Sequence, residues 1–213
     1  MDIYMGNVVA RSNNLYMKFV VDDLDVAEIK ECLFDFYYSG FNIDSDFEEQ
    51  ALFHDITFPG WIESNLIMVD QVKALAQGVS TTHETGEAII SVHLHDGTCV
   101  GVTISEMQDN NSYHRYAAIH PDHRGQNLIE ELRWLALAFG FDYAKFQSTH
   151  INRPATNSRD WSGRSTVLGE HVSSARGSQD TYIERVITAE DWLAIKADPN
   201  SPAQNYTFTF EEI

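Results

Sequence analysis

The stretch that decides the fold is Tyr116-Ala-Ala-Ile-His120-Pro-Asp-His-Arg-Gly125-Gln-Asn-Leu-Ile-Glu130-Glu-Leu132. Its apolar start predicts a strand over 113–120. Pro121 ends that strand, because proline cannot donate to a ladder. Leu128, Ile129, Leu132, Leu135, Ala136 and Phe139 then recur at helical spacing up to Gly140, which predicts a helix. The first N–H groups of such a helix have no intrahelical partner, and the helix dipole adds positive charge beside them. Gly125 permits close backbone approach, and His123 and Arg124 add cationic donors. This strand-to-helix junction suits an anion such as a pyrophosphate.

Upstream, residues 15–21 read as a strand, and helices are expected over about 25–38 and 62–77. Ala88–His95 alternates apolar and polar residues, Asp96-Gly97 is a tight-turn dipeptide, and 98–107 is the return strand of a hairpin. With the 113–120 strand this makes an antiparallel meander. Downstream, a strand is expected over Ala144–Thr149, a short helix over 156–168, strands over 181–187 and 206–210, and a helix over 189–196. The order predicts an α+β (mixed α/β) fold. Its core is a mostly antiparallel twisted sheet of about six or seven strands flanked by helices. A domain over 1–190 with a C-terminal extension over 191–213 is the expected division. The extension would pack on the domain or on a partner.

The 213 residues carry a net charge of −18. The charge is uneven. Residues 111–176 hold eight Lys and Arg against six Asp and Glu, a net of +2, which leaves −20 on the rest. Five of the nine histidines lie in the same window. An acidic chain repels phosphate backbones, so nucleic-acid binding is disfavoured, while one segment stays suited to an anion. Cys32 and Cys99 show no ligand or disulfide spacing, and no apolar run reaches membrane-spanning length. The expected setting is the cytoplasm, or an assembly formed there, with no membrane partner.

The run 116–132 resembles motif A of the GNAT superfamily of acyl-CoA-dependent N-acyltransferases. In that family an Arg/Gln-x-x-Gly-x-Gly/Ala loop after a strand binds the coenzyme A pyrophosphate through backbone amides. The resemblance is specific over about 113–150 and topological on either side. It implies a GNAT-like fold, with the Ala144–Thr149 strand and the 156–168 helix as the family's fifth strand and fourth helix. It implies acetyl-CoA as cosubstrate, with no metal. It assigns cofactor contacts to Ile119, His120, Arg124, Gly125, Gln126, Asn127 and Leu128, and a pantetheine contact to Asn157. Asn127 and Ile129 stand where the family usually has glycine and Gly/Ala. Asparagine tolerates the left-handed backbone region.

Acetyl transfer to an amine needs a polarised thioester carbonyl, a base for the amine and a stabilised thiolate. The resemblance places the carbonyl contact near Ala118-Ile119-His120. Candidate bases are Glu106, His114 and His120. Many family members protonate the thiolate with a tyrosine on the fourth helix; residues 151–170 contain none. The expected function is N-acetyl transfer from acetyl-CoA to a primary amine of a small cationic molecule or protein, since the acidic remainder attracts cations. The alternative is a catalytically inactive GNAT-fold subunit, binding or structural, of a larger assembly such as a virus particle. Either reading is compatible with a homo-oligomer.

Overall fold

The computed structural model describes residues 8–19, 86–108, 111–155, 160–173 and 180–212. Among these described residues nine strands form one sheet: β1 (Val8–Arg11), β2 (Leu15–Phe19), β3 (Gly86–Leu94), β4 (Cys99–Gln108), β5 (Asn111–Ile119), β6 (Ser148–Pro154), β7 (Thr166–Ser173), β8 (Asp180–Thr188) and β9 (Thr209–Glu212). Their order is β7-β8-β6-β5-β4-β3-β2-β1-β9. Every neighbouring pair is antiparallel except β5 with β6. The mostly antiparallel α+β architecture stands, with nine strands where six or seven were expected. The helices expected over 25–38 and 62–77 lie outside the described residues.

Helix α1 (Leu128–Ala138) crosses one face of the sheet and carries two apolar stripes. Leu128, Leu132, Leu135 and Phe139 pack with Met17, Phe19, Ile90 and Val92. Trp134, Leu137, Ala138 and Phe141 pack with Ile151, Ile187, Trp192 and Ile195. One helix thus serves two cores, one on each side of the β5–β6 boundary. A buried carboxylate fixes its position. Glu131 is 3% exposed and accepts from Ser12 Oγ at 2.6 Å, Asn14 N–H at 2.7 Å and Asn14 Nδ2 at 2.9 Å. Those three donors come from the turn between β1 and β2, so α1 is pinned to the far half of the sheet.

Two sequence expectations are corrected downstream of α1. The segment Ala144–Gln147 is not a strand. The helix widens into a π turn over Phe139–Tyr143, and Lys145 takes a left-handed φ of 60°. Phe146 packs against Gly140, where an added Cβ would sit 3.1 Å from the ring, so the chain reaches the sheet only at Ser148. The helix expected over 156–168 is also absent from its described part. Residues 160–165 form a loop organised by the Asp160 carboxylate, which accepts from Ser162 N–H, Gly163 N–H, Ser165 N–H and Ser162 Oγ. Burial alone would raise this carboxyl; the hydrogen bonds from Ser162 and Ser165 outweigh it and hold its pKa below the usual range. Side-chain capture of backbone N–H groups competes directly with a helix. From Thr166 the chain is edge strand β7, with a register shift between Val167 and Gly169.

The C-terminal residues join the same sheet. Thr188 and Asp191 form a capping box at the start of α2 (Ala189–Ala197). Trp192 and Ile195 of α2 are buried in the second core. Strand β9 pairs with β1 and forms the sheet edge opposite β7.

Candidate functional site

The site is built where β5 and β6 part. The two strands pair only over Asn111–His114 and Ser148–Ile151, yet β5 runs on to Ile119 and β6 to Pro154. A polar zipper closes the paired part. Ser148 Oγ lies 2.7 Å from Asn111 Oδ1 and 3.0 Å from His150 Nε2, and His150 Nδ1 lies 3.2 Å from Glu184 Oε1 on β8. The His150 ring stacks on Tyr113 at 4.4 Å between centroids. Beyond His114 and Ile151 the ladder ends and a V-shaped gap opens between parallel strands.

A β-bulge decides what lines this gap. In the β4–β5 ladder Ile104 faces Tyr116 while Ser105 faces His114, so Arg115 is the extra residue. Strict alternation would put His114 and Ala117 on opposite faces. The bulge puts both on the α1 face. His114 Nδ1 lies 3.2 Å from Ser105 Oγ there. Burial first, then the Arg153 and Arg133 charges, push its pKa down to about 4, so its imidazole is neutral near pH 7.

A pocket occupies the α1 side of the gap. Its apolar wall is Ala117, Leu132, Ala136, Leu137, Ile151 and Trp161. Its polar wall is Thr103, His114, Ser165 and three arginines, Arg133, Arg153 and Arg185. The Arg133 guanidinium lies 5.7 Å from the Trp161 ring centroid, and Arg185 Nη1 donates to Ser165 Oγ at 3.3 Å. No Asp or Glu is among the described lining residues.

The junction between β5 and α1 lies next to this pocket along the helix. Pro121–His123 form a short 3-10 turn. Gly125 and Asn127 follow with φ of 78° and 60°. Asn127 therefore adopts the left-handed conformation that glycine usually supplies, without a side-chain cap to the helix. Among the described residues no backbone hydrogen bond engages the N–H groups of Gly125, Gln126 or Asn127, and Leu128 opens the helix. A Cβ built on Gly125 meets nothing within 4 Å, so the loop is open at that position. Residues 125–128 thus offer a backbone cradle that fits a phosphate group.

The remaining sequence candidates are spread around this geometry. Ile119 is buried, and its carbonyl accepts from Arg124 Nε at 2.9 Å, which braces the loop. His120 Nδ1 accepts from Asp122 N–H at 3.3 Å and caps the 3-10 turn. Glu106 is half-buried opposite Tyr113, one pair before the bulge, on the face away from α1. Asn157 lies outside the described residues. His93 and His95 bond separately, His93 to Ser91 Oγ and His95 to the Ser12 carbonyl. Among the described residues no three His, Cys, Asp or Glu side chains group to hold a metal ion. Sequence reading did not find Arg133, Arg153, Arg185 or the His150–Glu184 pair. The only signal for Arg133, Arg153 and His150 was the local excess of basic residues and histidines over 111–176; Glu184 and Arg185 lie beyond that window.

No protein-family model and no curated protein sequence matches the chain. Solved structures do match. A mutant form of the spermidine/spermine N-acetyltransferase from Vibrio cholerae is 14% identical, with a TM-score of 0.57 over 86% of this chain and 98% of its own. A GCN5-related N-acetyltransferase from Brucella melitensis is 12% identical, with a TM-score of 0.56 over 89% of this chain and 82% of its own. A GNAT-family acetyltransferase from Bacillus anthracis is 11% identical, with a TM-score of 0.52 over 85% of this chain and 99% of its own. With one parallel pair parting beside an open strand-to-helix cradle, and with these neighbours along most of its length, the chain has the GNAT acetyltransferase fold.

Proposed function

We propose that the protein is an acyl-CoA-dependent N-acyltransferase that acylates a primary amine, with acetyl-CoA as the reference donor. The observation that carries this reading is the gap between β5 and β6, opened at His114 and Ile151 beside the turn at 125–127, whose amides make no backbone bond among the described residues. In this reading the pyrophosphate rests on the amides of Gly125, Gln126, Asn127 and Leu128, and the pantetheine arm runs into the gap.

The amine would approach from the other face, where Glu106 is the base. A carboxylate there attracts a protonated amine and takes its proton. The −20 carried outside residues 111–176 favours a cationic acceptor. His114 is a poor base, because a group with a pKa of about 4 holds a proton too weakly to draw one from an amine near neutral pH. Its neutral ring suits hydrogen bonding to the bound donor. His120 serves the turn through its bond to Asp122 N–H.

Calorimetric titration with acetyl-CoA tests the reading. Saturation at one hundred times the dissociation constant should stabilise the fold by about 2.7 kcal/mol. Gly125→Trp should abolish binding by filling the space before the cradle. Absence of binding at millimolar acetyl-CoA would leave the non-catalytic subunit as the better account. Binding retained in Gly125→Trp would place the cofactor elsewhere.

A further inference from the structure

The zipper that closes the paired part of β5 and β6 holds three side chains that acyl transfer does not use. Ser148 and His150 stand two apart on β6, so both point to the face away from α1. Glu184 on β8 stands diagonal to His150, whose register partner is Val186, and its long side chain reaches the ring. Ser148 Oγ lies 3.0 Å from His150 Nε2, and His150 Nδ1 lies 3.2 Å from Glu184 Oε1. The imidazole thus bonds a hydroxyl through one nitrogen and a carboxylate through the other. The Tyr113 ring stacks on it at 4.4 Å and restrains its rotation. Ser148 is half-buried, and the His150 and Glu184 side chains are 18% and 39% exposed, so small molecules can reach the row.

The bonding capacity of the imidazole orders the protons. An ionised carboxylate only accepts, so the contact with Glu184 needs a proton on Nδ1. In the neutral ring Nε2 then carries a lone pair, and its partner Ser148 Oγ must donate to it. Ser148 Oγ also lies 2.7 Å from Asn111 Oδ1, and its single proton serves one of these two neighbours at a time. A hydroxyl that donates to an imidazole, with a carboxylate behind the ring, is the arrangement that makes serine a nucleophile.

We infer that Ser148, His150 and Glu184 form a nucleophilic triad that hydrolyses short-chain carboxylic esters through an acyl-Ser148 intermediate. Ser148 Oγ attacks the ester carbonyl while His150 Nε2 takes its proton. The bond from the carbonyl carbon to the alcohol oxygen breaks, and the alcohol leaves with the proton from Nε2. Water then attacks acyl-Ser148 and gives a proton to Nε2. The carboxylic acid departs as that proton returns to Ser148 Oγ. Glu184 is a positioning residue: it holds the tautomer and stabilises the transient imidazolium.

The probe is p-nitrophenyl acetate, mixed with the full chain. Nitrophenol release should show a burst and then continue, and peptide mass mapping should place an acetyl group on Ser148. A positioned base contributes roughly 100- to 10,000-fold, so Ser148 should be acetylated at least about 100-fold faster in the folded chain than in urea. Mapping uses the unaltered chain and so does not depend on any variant folding. Ser148→Ala and His150→Gln should abolish the burst. Glu184→Gln should lower the acylation rate at saturating ester at least tenfold with the half-saturation concentration unchanged, and Glu184→Asp should recover part of it. Acetyl found only on other residues overturns the inference, as does an equal rate in urea or a burst unchanged in Glu184→Gln. The triad is independent of acyl transfer from coenzyme A: absence of acetyl-CoA binding would remove the transferase reading and leave Ser148 acetylation standing.

Discussion

The two faces of the sheet at the parting of β5 and β6 are chemical opposites. The α1 face is enclosed and basic, with Arg133, Arg153 and Arg185 around a neutral His114. The far face carries Glu106, Tyr113, His150 and Glu184 in a row across β4, β5, β6 and β8. Only strand alternation separates them, and one extra residue at Arg115 moves His114 from the second set into the first. The difference teaches that a single parallel pair can hold two chemically opposite surfaces on either side of one gap; under the proposed function these would keep an anionic donor and a cationic acceptor apart.

The comparison breaks first at Glu106. If the far face deprotonates the amine, Glu106→Gln should lower kcat by roughly 100- to 10,000-fold with the donor's dissociation constant unchanged. Steady-state kinetics with thiol release, beside calorimetry of acetyl-CoA, reads both. A change in donor affinity with kcat intact would remove the division between the faces.

The basic face depends on α1 standing where it does. Glu131→Ala would leave Ser12 Oγ and two Asn14 donors without their acceptor, at a cost of roughly 4 kcal/mol in unfolding free energy by urea titration. A cost under about 1 kcal/mol would mean that the apolar stripes alone hold the helix.

His114 gives the next effect, and it has a pH signature. Its pKa is about 4 folded and near the ordinary 6.5 unfolded. Below pH 6.5 the unfolded chain takes up the proton first, so stability falls as pH drops and the loss levels off below about pH 4. The whole loss is on the order of 3 kcal/mol. His114→Gln should flatten this part of the stability profile. An unchanged acid limb would show that the ring is solvated, and that the basic face is more open than its lining implies.

Much of this molecule was legible in its sequence, for local reasons. The Asp96-Gly97 turn, the strand stopped by Pro121 and the 3.6-residue period from Leu128 are each decided by a few neighbouring residues, and each element is present. The tolerance of asparagine for left-handed angles anticipated Asn127. What escaped was non-local. Strand β1 is only four residues long and exists because β2 and β9 flank it. The 160–165 loop depends on one carboxylate capturing N–H groups, which apolar spacing does not register. The three arginines come from positions 133, 153 and 185, and only the sheet order brings them together.

The smallest expected effect separates two roles of Gly125 at the mouth of the basic face. Its φ of 78° lies where an L-residue pays roughly 1–2 kcal/mol. An alanine Cβ there would meet nothing within 4 Å. Gly125→Ala should therefore lower stability by about 1 kcal/mol through backbone strain alone. Acetyl-CoA affinity should fall only a few-fold, since a methyl group intrudes little on the open space. Gly125→Trp carries the same strain but fills that space, so the two variants should match in urea midpoint and differ in binding. If alanine abolishes binding as fully as tryptophan does, the cradle needs the left-handed turn itself, and conformation rather than clearance controls entry to the basic face.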